Sequence, residues 1–271
     1  MKPKTTIQNA RIISNLKIKD KYFKLLLMAP RIAKTAKPGQ FVNIKVNDEC
    51  EPLLRRPFSI HRASGARIEI LYEVVGPATE VLSKRKAGEI LNIIGPLGNG
   101  FDYKSGLRPQ ATVIFVAGGM GVAPLVFLAE RLALLTTQNS RLKTMALIGG
   151  RTKNHILCEK EFKKSGCDVR IATDDGSRGF KGYVSDLLEK ELKAQDPRLK
   201  TIFACGPRPL LEEVSRISKK FNIPAQISLE EHMACGIGAC LGCVVETREG
   251  YKRVCKEGPV FSAYQIIWRK E

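Results

Sequence analysis

Hydrophobic and polar positions follow two different rhythms along this chain. In residues 1–105, short apolar runs alternate with period two and are separated by turn signals. Arg11-Ile12-Ile13 and Tyr22–Met28 precede the breaker Lys37-Pro38-Gly39; in the run that follows, Val42, Ile44 and Val46 share one face. Ile68, Ile70, Tyr72 and Val74 alternate in the same way, as do Leu91 and Ile93 against Ile90 and Asn92. This spacing predicts a small antiparallel β-barrel, with one helix over Ala78–Lys84. From about residue 106 the rhythm changes. Buried-strand runs at Ala111–Ala117, Thr144–Ile148, Val169–Ala172 and Thr201–Ala204 alternate with helical stretches at Pro124–Leu135, Glu159–Lys164, Val184–Leu192 and Pro209–Phe221. Strand–helix alternation predicts an α/β doubly wound parallel sheet, which binds ligands beyond the carboxyl ends of its strands. The last segment, 226–271, is set apart by its cysteines.

The junctions between elements carry the candidate chemistry. In the first segment, Arg55-Arg56-Pro57-Phe58-Ser59 joins a fixed backbone to a planar cation and a hydroxyl, a set that can hold a flavin dinucleotide and that a surface turn can also present. Val75-Gly76-Pro77-Ala78-Thr79 opens the helix, where free backbone N–H groups favour an anion. Gly95–Phe101 holds three glycines in seven positions, as a linker or a backbone passing close to another group would. In the second segment, Gly118-Gly119-Met120-Gly121-Val122-Ala123-Pro124 follows the first strand. It is not the G-x-G-x-x-G fingerprint, yet glycines before a helix start suit a diphosphate. Cys205-Gly206-Pro207 follows the last strand, so that the Cys205 thiol either faces the crevice or fills it as a small hydrophobe. Thr173-Asp174-Asp175-Gly176-Ser177 reads as a ribose contact or an Asx-type turn. Arg151, after Gly149-Gly150, could meet a 2′-phosphate or be a solvated loop residue, which leaves NAD against NADP open.

Four of the eight cysteines, Cys235, Cys240, Cys243 and Cys255, are spaced C-x4-C-x2-C-x11-C. The first three repeat the plant-type spacing for a 2Fe–2S cluster. Thiolates also suit zinc, but structural zinc sites use short C-x2–4-C knuckles, whereas here three ligands share one loop containing Gly236, Gly238 and Gly242. No secretory signal is expected at Met1–Thr6, and no apolar run reaches 18 residues, so no membrane span is expected either. A cytoplasmic location follows, in which clustered cysteines mean metal or redox chemistry rather than disulfides.

Composition narrows the classes further. With 44% hydrophobic and 27% charged residues in 271, the chain is globular rather than disordered. The net charge of +18 raises nucleic acid as a partner. Residues 226–271 carry six acidic and six basic side chains, however, so the excess lies in 1–225 and the cysteine segment is neutral. There is no basic stripe interleaved with aromatics, which argues against a zinc-containing nucleic-acid-binding protein and for a surface suited to anionic cofactors or an acidic partner.

Taken in this order, the motifs resemble the ferredoxin reductase superfamily. More narrowly, Glu230–Cys243 together with Gly95–Phe101 resembles the electron-transfer subunits of type B (class 1B) dihydroorotate dehydrogenases, over essentially the whole chain. The resemblance implies an FAD-binding antiparallel β-barrel domain at 1–105, an NAD-binding α/β domain at 106–225 and a small C-terminal 2Fe–2S cluster domain at 226–271. It implies FAD contacts at Arg56, Pro57, Phe58 and Ser59, along Leu71, Tyr72 and Glu73, and at Ala78 and Thr79, where this chain has Ala78 in place of the family's usual glycine. The implied NAD contacts are Gly118, Gly119, Gly121 and, at the catalytic position, Cys205. The implied iron ligands are Cys235, Cys240, Cys243 and Cys255. The implied partner is an FMN-containing catalytic subunit that oxidises dihydroorotate, two copies of each chain forming a heterotetramer; a reductase serving ferredoxin, sulfide or hydrogenase chemistry is the alternative. His61 and His155 are read as structural or surface residues, and His232, three residues before Cys235, as loop packing rather than a ligand.

Overall fold

The computed structural model describes residues 5–105, 111–136, 142–194 and 200–268. Its backbone packs as two compact units. One comprises Met1–Gly100, Glu231–Val244 and Lys252–Pro259; the other comprises Phe101–Glu230, Val245–Tyr251 and Val260–Glu271. Residues 226–271 are thus divided between the two.

The first unit is built on strands β1 (Thr6–Lys19), β2 (Tyr22–Met28), β3 (Phe41–Lys45), β4 (Arg56–Ser59), β5 (Arg62–Ser64), β6 (Arg67–Glu73) and β7 (Ile90–Leu97), with the single-turn helix α1 (Pro30–Ala33) and helix α2 (Pro77–Lys84). All pairings are antiparallel, in the order β4-β3-β7-β1-β2-β6-β5. β1 is long enough to serve two neighbours: Thr6–Arg11 pairs with β7 and Arg11–Lys19 with β2, with irregularities at Ile12/Ser14 and Lys17/Lys19 that bend it. The sheet curls. Four strands separate β4 from β6 in the order, yet the rings of Phe58 and Tyr72 meet edge to face with centroids 5.8 Å apart. Inward-facing Ile12, Leu25, Leu27, Ile44, Ile68, Ile70 and Ile93 fill the interior. The turn before β3 uses Pro38 and then Gly39 at φ +88°, closed by the Gln40 N–H to the Lys37 carbonyl.

In the second unit, β8 (Thr112–Gly118), α3 (Val122–Thr136), β9 (Lys143–Gly150), α4 (Glu159–Lys164), β10 (Asp168–Thr173), β11 (Phe180–Lys181), α5 (Val184–Lys193), β12 (Lys200–Cys205), α6 (Arg208–Phe221) and β13 (Ala225–Ser228) follow in turn. β14 (Val244–Thr247) and β15 (Gly250–Arg253) form a two-stranded sheet, and β16 (Val260–Ser262) returns to the large one. Its order is β11-β10-β9-β8-β12-β13-β16, parallel except where β16 closes the edge against β13. β8 sits at its centre, with Val113–Ala117 buried on both faces, which explains an uninterrupted apolar run in place of an alternating one. Phe115 packs between Phe162 and Phe203 at 5.9 and 6.2 Å. The strand order reverses beside β8, running outward through β9 to β11 on one side and through β12 to β13 on the other, so the ends of β8 and β12 form the switch point at which doubly wound sheets bind ligands.

The expected helices are found to within two residues. The pattern gave no strands after residue 225, where the structure has β13, β14, β15 and β16. At three or four residues each, these are too short to establish a period.

Candidate cofactor sites

Arg56-Pro57-Phe58-Ser59 is strand β4 itself, each residue half-buried and paired to β3 through Ile44, Asn43, Val42 and Phe41. An end strand on which a guanidinium, an aromatic ring and a hydroxyl all remain partly open suits a flat ring carrying a diphosphate tail. Arg56 Nη1 donates to the Leu54 carbonyl at 2.6 Å, which steadies the guanidinium and leaves other donors free. Behind it, Leu71 and Tyr72 of β6 are buried. Tyr72 stacks on Phe23 at 5.5 Å and donates to Asn15 Oδ1 at 3.0 Å; burial pushes its phenol up to about 12. Glu73 pairs with Lys21 at 2.6 Å.

At the start of α2, Thr79 Oγ1 accepts from the N–H groups of Val75 and Gly76 at 2.9 and 3.1 Å. Its hydroxyl therefore ties down its own turn, leaving the backbone N–H groups at the helix start for an anion. Ala78, where the family usually has glycine, lies inside the helix and outside the positive-φ residues, so the Cβ costs nothing in backbone strain there.

The glycines of 95–100 have a steric reason. A Cβ on Gly98 (φ +72°) would stand 2.7 Å from the Gly258 carbonyl, and the Asn99 N–H donates to that same carbonyl at 2.6 Å. Asn99 Nδ2 reaches the Glu257 carbonyl at 2.7 Å. The segment is a close-packed seam against the chain just beyond Cys255.

All four clustered cysteines lie in the first unit. Their loop is turned by Gly236 (φ +68°), Gly238 (φ +86°) and, unusually for a branched side chain, Leu241 (φ +61°). The N–H groups of Ile237, Ala239 and Cys240 point at Cys235 Sγ, 3.5, 3.3 and 3.5 Å away. Burial alone would raise this thiol, but these donors outweigh it and bring it down to about 6. Across the site the Cys255 N–H donates to Cys243 Sγ at 3.4 Å, and the Cys243 carbonyl accepts from the Val254 N–H at 2.9 Å. Burial, together with hydrogen bonding to Cys243 and its charge, pushes the Cys255 thiol up to about 12. The thiols pair two and two, Cys235 with Cys240 and Cys243 with Cys255. This donor set would suit a two-iron, two-sulfide group, and amide N–H groups aimed at sulfur are how proteins stabilise such ligands. Arg253 braces the loop, with Nη1 on the Gly238 carbonyl at 2.8 Å and a two-point ion pair to Glu257 at 2.6 and 3.0 Å. Pattern reasoning missed Arg253 and Asn43, whose Nδ2 donates to the Cys235 carbonyl at 3.1 Å.

In the second unit, β8 runs through a short 3-10 turn at Gly119–Gly121 into α3. A Cβ at Gly121 would fall on the Cys205 carbonyl, and one at Gly118 would press Leu210 and Pro207 at 2.8 and 3.0 Å. The two switch-point loops therefore touch backbone to backbone at the start of α3. Cys205 ends β12; burial and then the charge of Glu230 push its thiol up to about 12, so it is a neutral thiol at pH 7. Asp175 accepts from the Ser177 N–H and Oγ at 2.9 and 2.7 Å, so the 173–177 stretch forms an Asx-type turn. Arg151 is exposed. His61 is buried, and His155 contacts Thr152 Oγ1 through Nδ1 at 3.1 Å.

Two sequence-family models match this chain: the iron–sulfur cluster binding domain of dihydroorotate dehydrogenase B over residues 230–267, and the oxidoreductase NAD-binding domain over 115–216. The electron transfer subunit of dihydroorotate dehydrogenase B (NAD(+)) from Desulforamulus reducens is 39% identical over 266 residues, 96% of this chain and 98% of that protein. This chain belongs to that family. The namesake subunit from Clostridium acetobutylicum is also 39% identical, over 98% and 99% of the two chains. Among solved structures, an NADH-dependent reduced ferredoxin-NADP oxidoreductase studied for flavin-based electron bifurcation superposes with TM-score 0.83 at 28% identity, covering 96% of this chain and 90% of its own. A ferredoxin-reductase-type fold with FAD, 2Fe–2S and NAD as its cofactors follows from this membership. No helix among the described residues is long and apolar enough to cross a membrane.

Proposed function

We propose that this chain carries electrons released by dihydroorotate oxidation on an FMN-containing catalytic partner to NAD⁺, through its own 2Fe–2S group and FAD. The observation that carries this reading is the convergence of four thiols at C-x4-C-x2-C-x11-C in the same compact unit as the half-open strand Arg56–Ser59. Flavin exchanges electrons in pairs or singly, whereas a 2Fe–2S group passes one at a time, so a chain holding both converts between the two currencies.

The residues divide the work. Arg56 and the backbone at the start of α2, at Ala78 and Thr79, hold the flavin diphosphate. Pro57, Phe58 and Ser59 with Leu71, Tyr72 and Glu73 hold the ring and shield it from water. Gly118, Gly119 and Gly121 bring the dinucleotide against the start of α3. Cys205, kept neutral, is the contact at the nicotinamide, and it orients the ring without attacking it. Cys235, Cys240, Cys243 and Cys255 ligate iron. The cofactor-binding segments are 1–105 for FAD, 106–225 for NAD and 226–271 for the cluster. The assembly is a cytoplasmic heterotetramer with two copies of each chain.

Anaerobically purified chain should carry FAD and two irons. It should oxidise NADH with an artificial acceptor and form no orotate until the catalytic partner is added. Orotate formation by the chain alone would refute the relay; colourless protein that takes up neither iron nor FAD would refute the cofactor set. The ferredoxin-linked structural relative at TM-score 0.83 supports a second reading, in which the same cofactors serve ferredoxin. Co-purification with an FMN-containing catalytic subunit separates the two.

A further inference from the structure

Among the described residues of β3, Asn43 stands out. It is fully buried between Val42 and Ile44, which are buried too, on a strand whose other side chains are largely apolar. Its neighbours across the sheet are Pro57 of β4 and Ile94 of β7, so it lies one strand from the flavin motif. Nδ2 donates to the backbone carbonyl of Cys235 at 3.1 Å, while Oδ1 is buried without a hydrogen-bond partner. An unpaired buried acceptor is destabilising. A valine or leucine would avoid that cost at the side chain, but it would strand the Cys235 carbonyl. The contact is also direct: a Cβ on Gly236 would stand 2.5 Å from Asn43 Nδ2, so the loop lies on the amide with no room between.

That bond has a consequence for the ligands. A trans peptide holds its C=O and N–H in opposite directions. Fixing the Cys235 oxygen on Asn43 therefore turns the Gly236 N–H away from β3. Gly236 at φ +68° then bends the chain back, so that the next N–H groups converge on Cys235 Sγ.

We propose that Asn43 is a positioning residue for the iron–sulfur group: it pins the first ligand's peptide to the strand beside the flavin motif and so sets how tightly the group is held and the electronic environment of its first sulfur. The inference rests on the ligand assignment made under the proposed function. Groups that orient metal ligands typically change affinity 10–100-fold when removed.

The test uses the full chain, purified anaerobically, as wild type, Asn43→Leu and Asn43→Ala. Leucine keeps the volume and alanine relieves any overpacking, while both remove the donor. Each is examined for FAD content, rate of iron loss to a chelator, and the low-temperature EPR spectrum after dithionite reduction. The expected result is wild-type FAD content with iron loss accelerated about tenfold and shifted g-values in whichever variant folds. Wild-type iron loss and an unchanged EPR spectrum in either folded variant would overturn the role of Asn43. Absence of iron from the wild type would instead sink the ligand assignment, and this inference with it. If both variants lose FAD and iron together, Asn43 is a general core residue and the positioning role is refuted.

Discussion

Gly121 has no space for even one methyl group, because a Cβ there would fall on the Cys205 carbonyl. Gly121→Ala must push the two switch-point loops apart, at an overpacking cost of about 1–3 kcal/mol. NADH oxidation should fall at least tenfold, about 1.4 kcal/mol in the transition state, with FAD and iron content unchanged. Steady-state kinetics beside cofactor analysis checks this. Leu241 presents the opposite case, a bulky, exposed residue held at φ +61° in the cluster loop. Left-handed backbone costs a non-glycine residue about 1–2 kcal/mol, so Leu241→Gly should raise chelator resistance or thermal stability by up to about 1 kcal/mol once glycine's extra unfolded-state entropy is subtracted. A loss of stability would show that Leu241 packs on something more than solvent. Such single-residue features divide sharply in how legible they are from sequence. The cysteine cluster could be read directly, because the spacing of its thiols is written in the order of the chain. Asn43 could not, because Val42-Asn43-Ile44-Lys45-Val46 reads as a strand with a polar outer face, and only the folded loop from Cys235 covers that face.

At the scale of elements, helices α5 and α6 are joined by charge as well as packing. Glu189 on α5 meets Lys220 and Arg216 of α6 at 2.7 and 3.3 Å, and Lys193 of its own helix at 3.2 Å. Hydrogen bonds from Lys220 and Lys193 hold its carboxyl down at about 2. Since the folded value lies below the ordinary 4.5, the stabilisation is fully present above that pH and is lost as pH falls toward 2. Glu189→Gln should lower Tm at pH 7 and leave it unchanged near pH 2. Thermal melts of both proteins across that window, at low salt because exposed pairs are screened, decide the matter. The cluster loop makes a second prediction at this scale. Cys240→Ser replaces a thiolate with a poor iron ligand, and the variant should lose the visible and EPR signals of the cluster while retaining FAD and NADH oxidation with artificial acceptors. Long elements were legible because burial on one or both faces imposes a period. β13, β14, β15 and β16 were not, since three or four residues held by neighbouring strands need no pattern of their own.

Over the whole molecule the net charge of +18 is carried by residues 1–225, while the cysteine segment is neutral. An acidic partner would be steered toward the basic part, and the association rate should fall severalfold between about 0.05 and 0.5 M salt as the Debye length contracts; stopped-flow mixing of the two subunits checks it. The broad division into barrel and doubly wound sheet could be read from rhythm alone. The path of the last forty-odd residues could not, because tertiary partners rather than local pattern decide which stretch joins which unit. That path passes from the second unit to the first at 231, back at 245, to the first again at 252 and back once more at 260, and three of the four thiols precede the excursion while Cys255 follows it. A ribosome therefore releases an incomplete binding site until the excursion has been synthesised and Cys255 has followed it, and iron delivered early finds three sulfurs and no fourth. Maturation of the metal centre must wait for the chain beyond that excursion, and a cell starved of iron should accumulate a folded flavoprotein with an open loop rather than a truncated one.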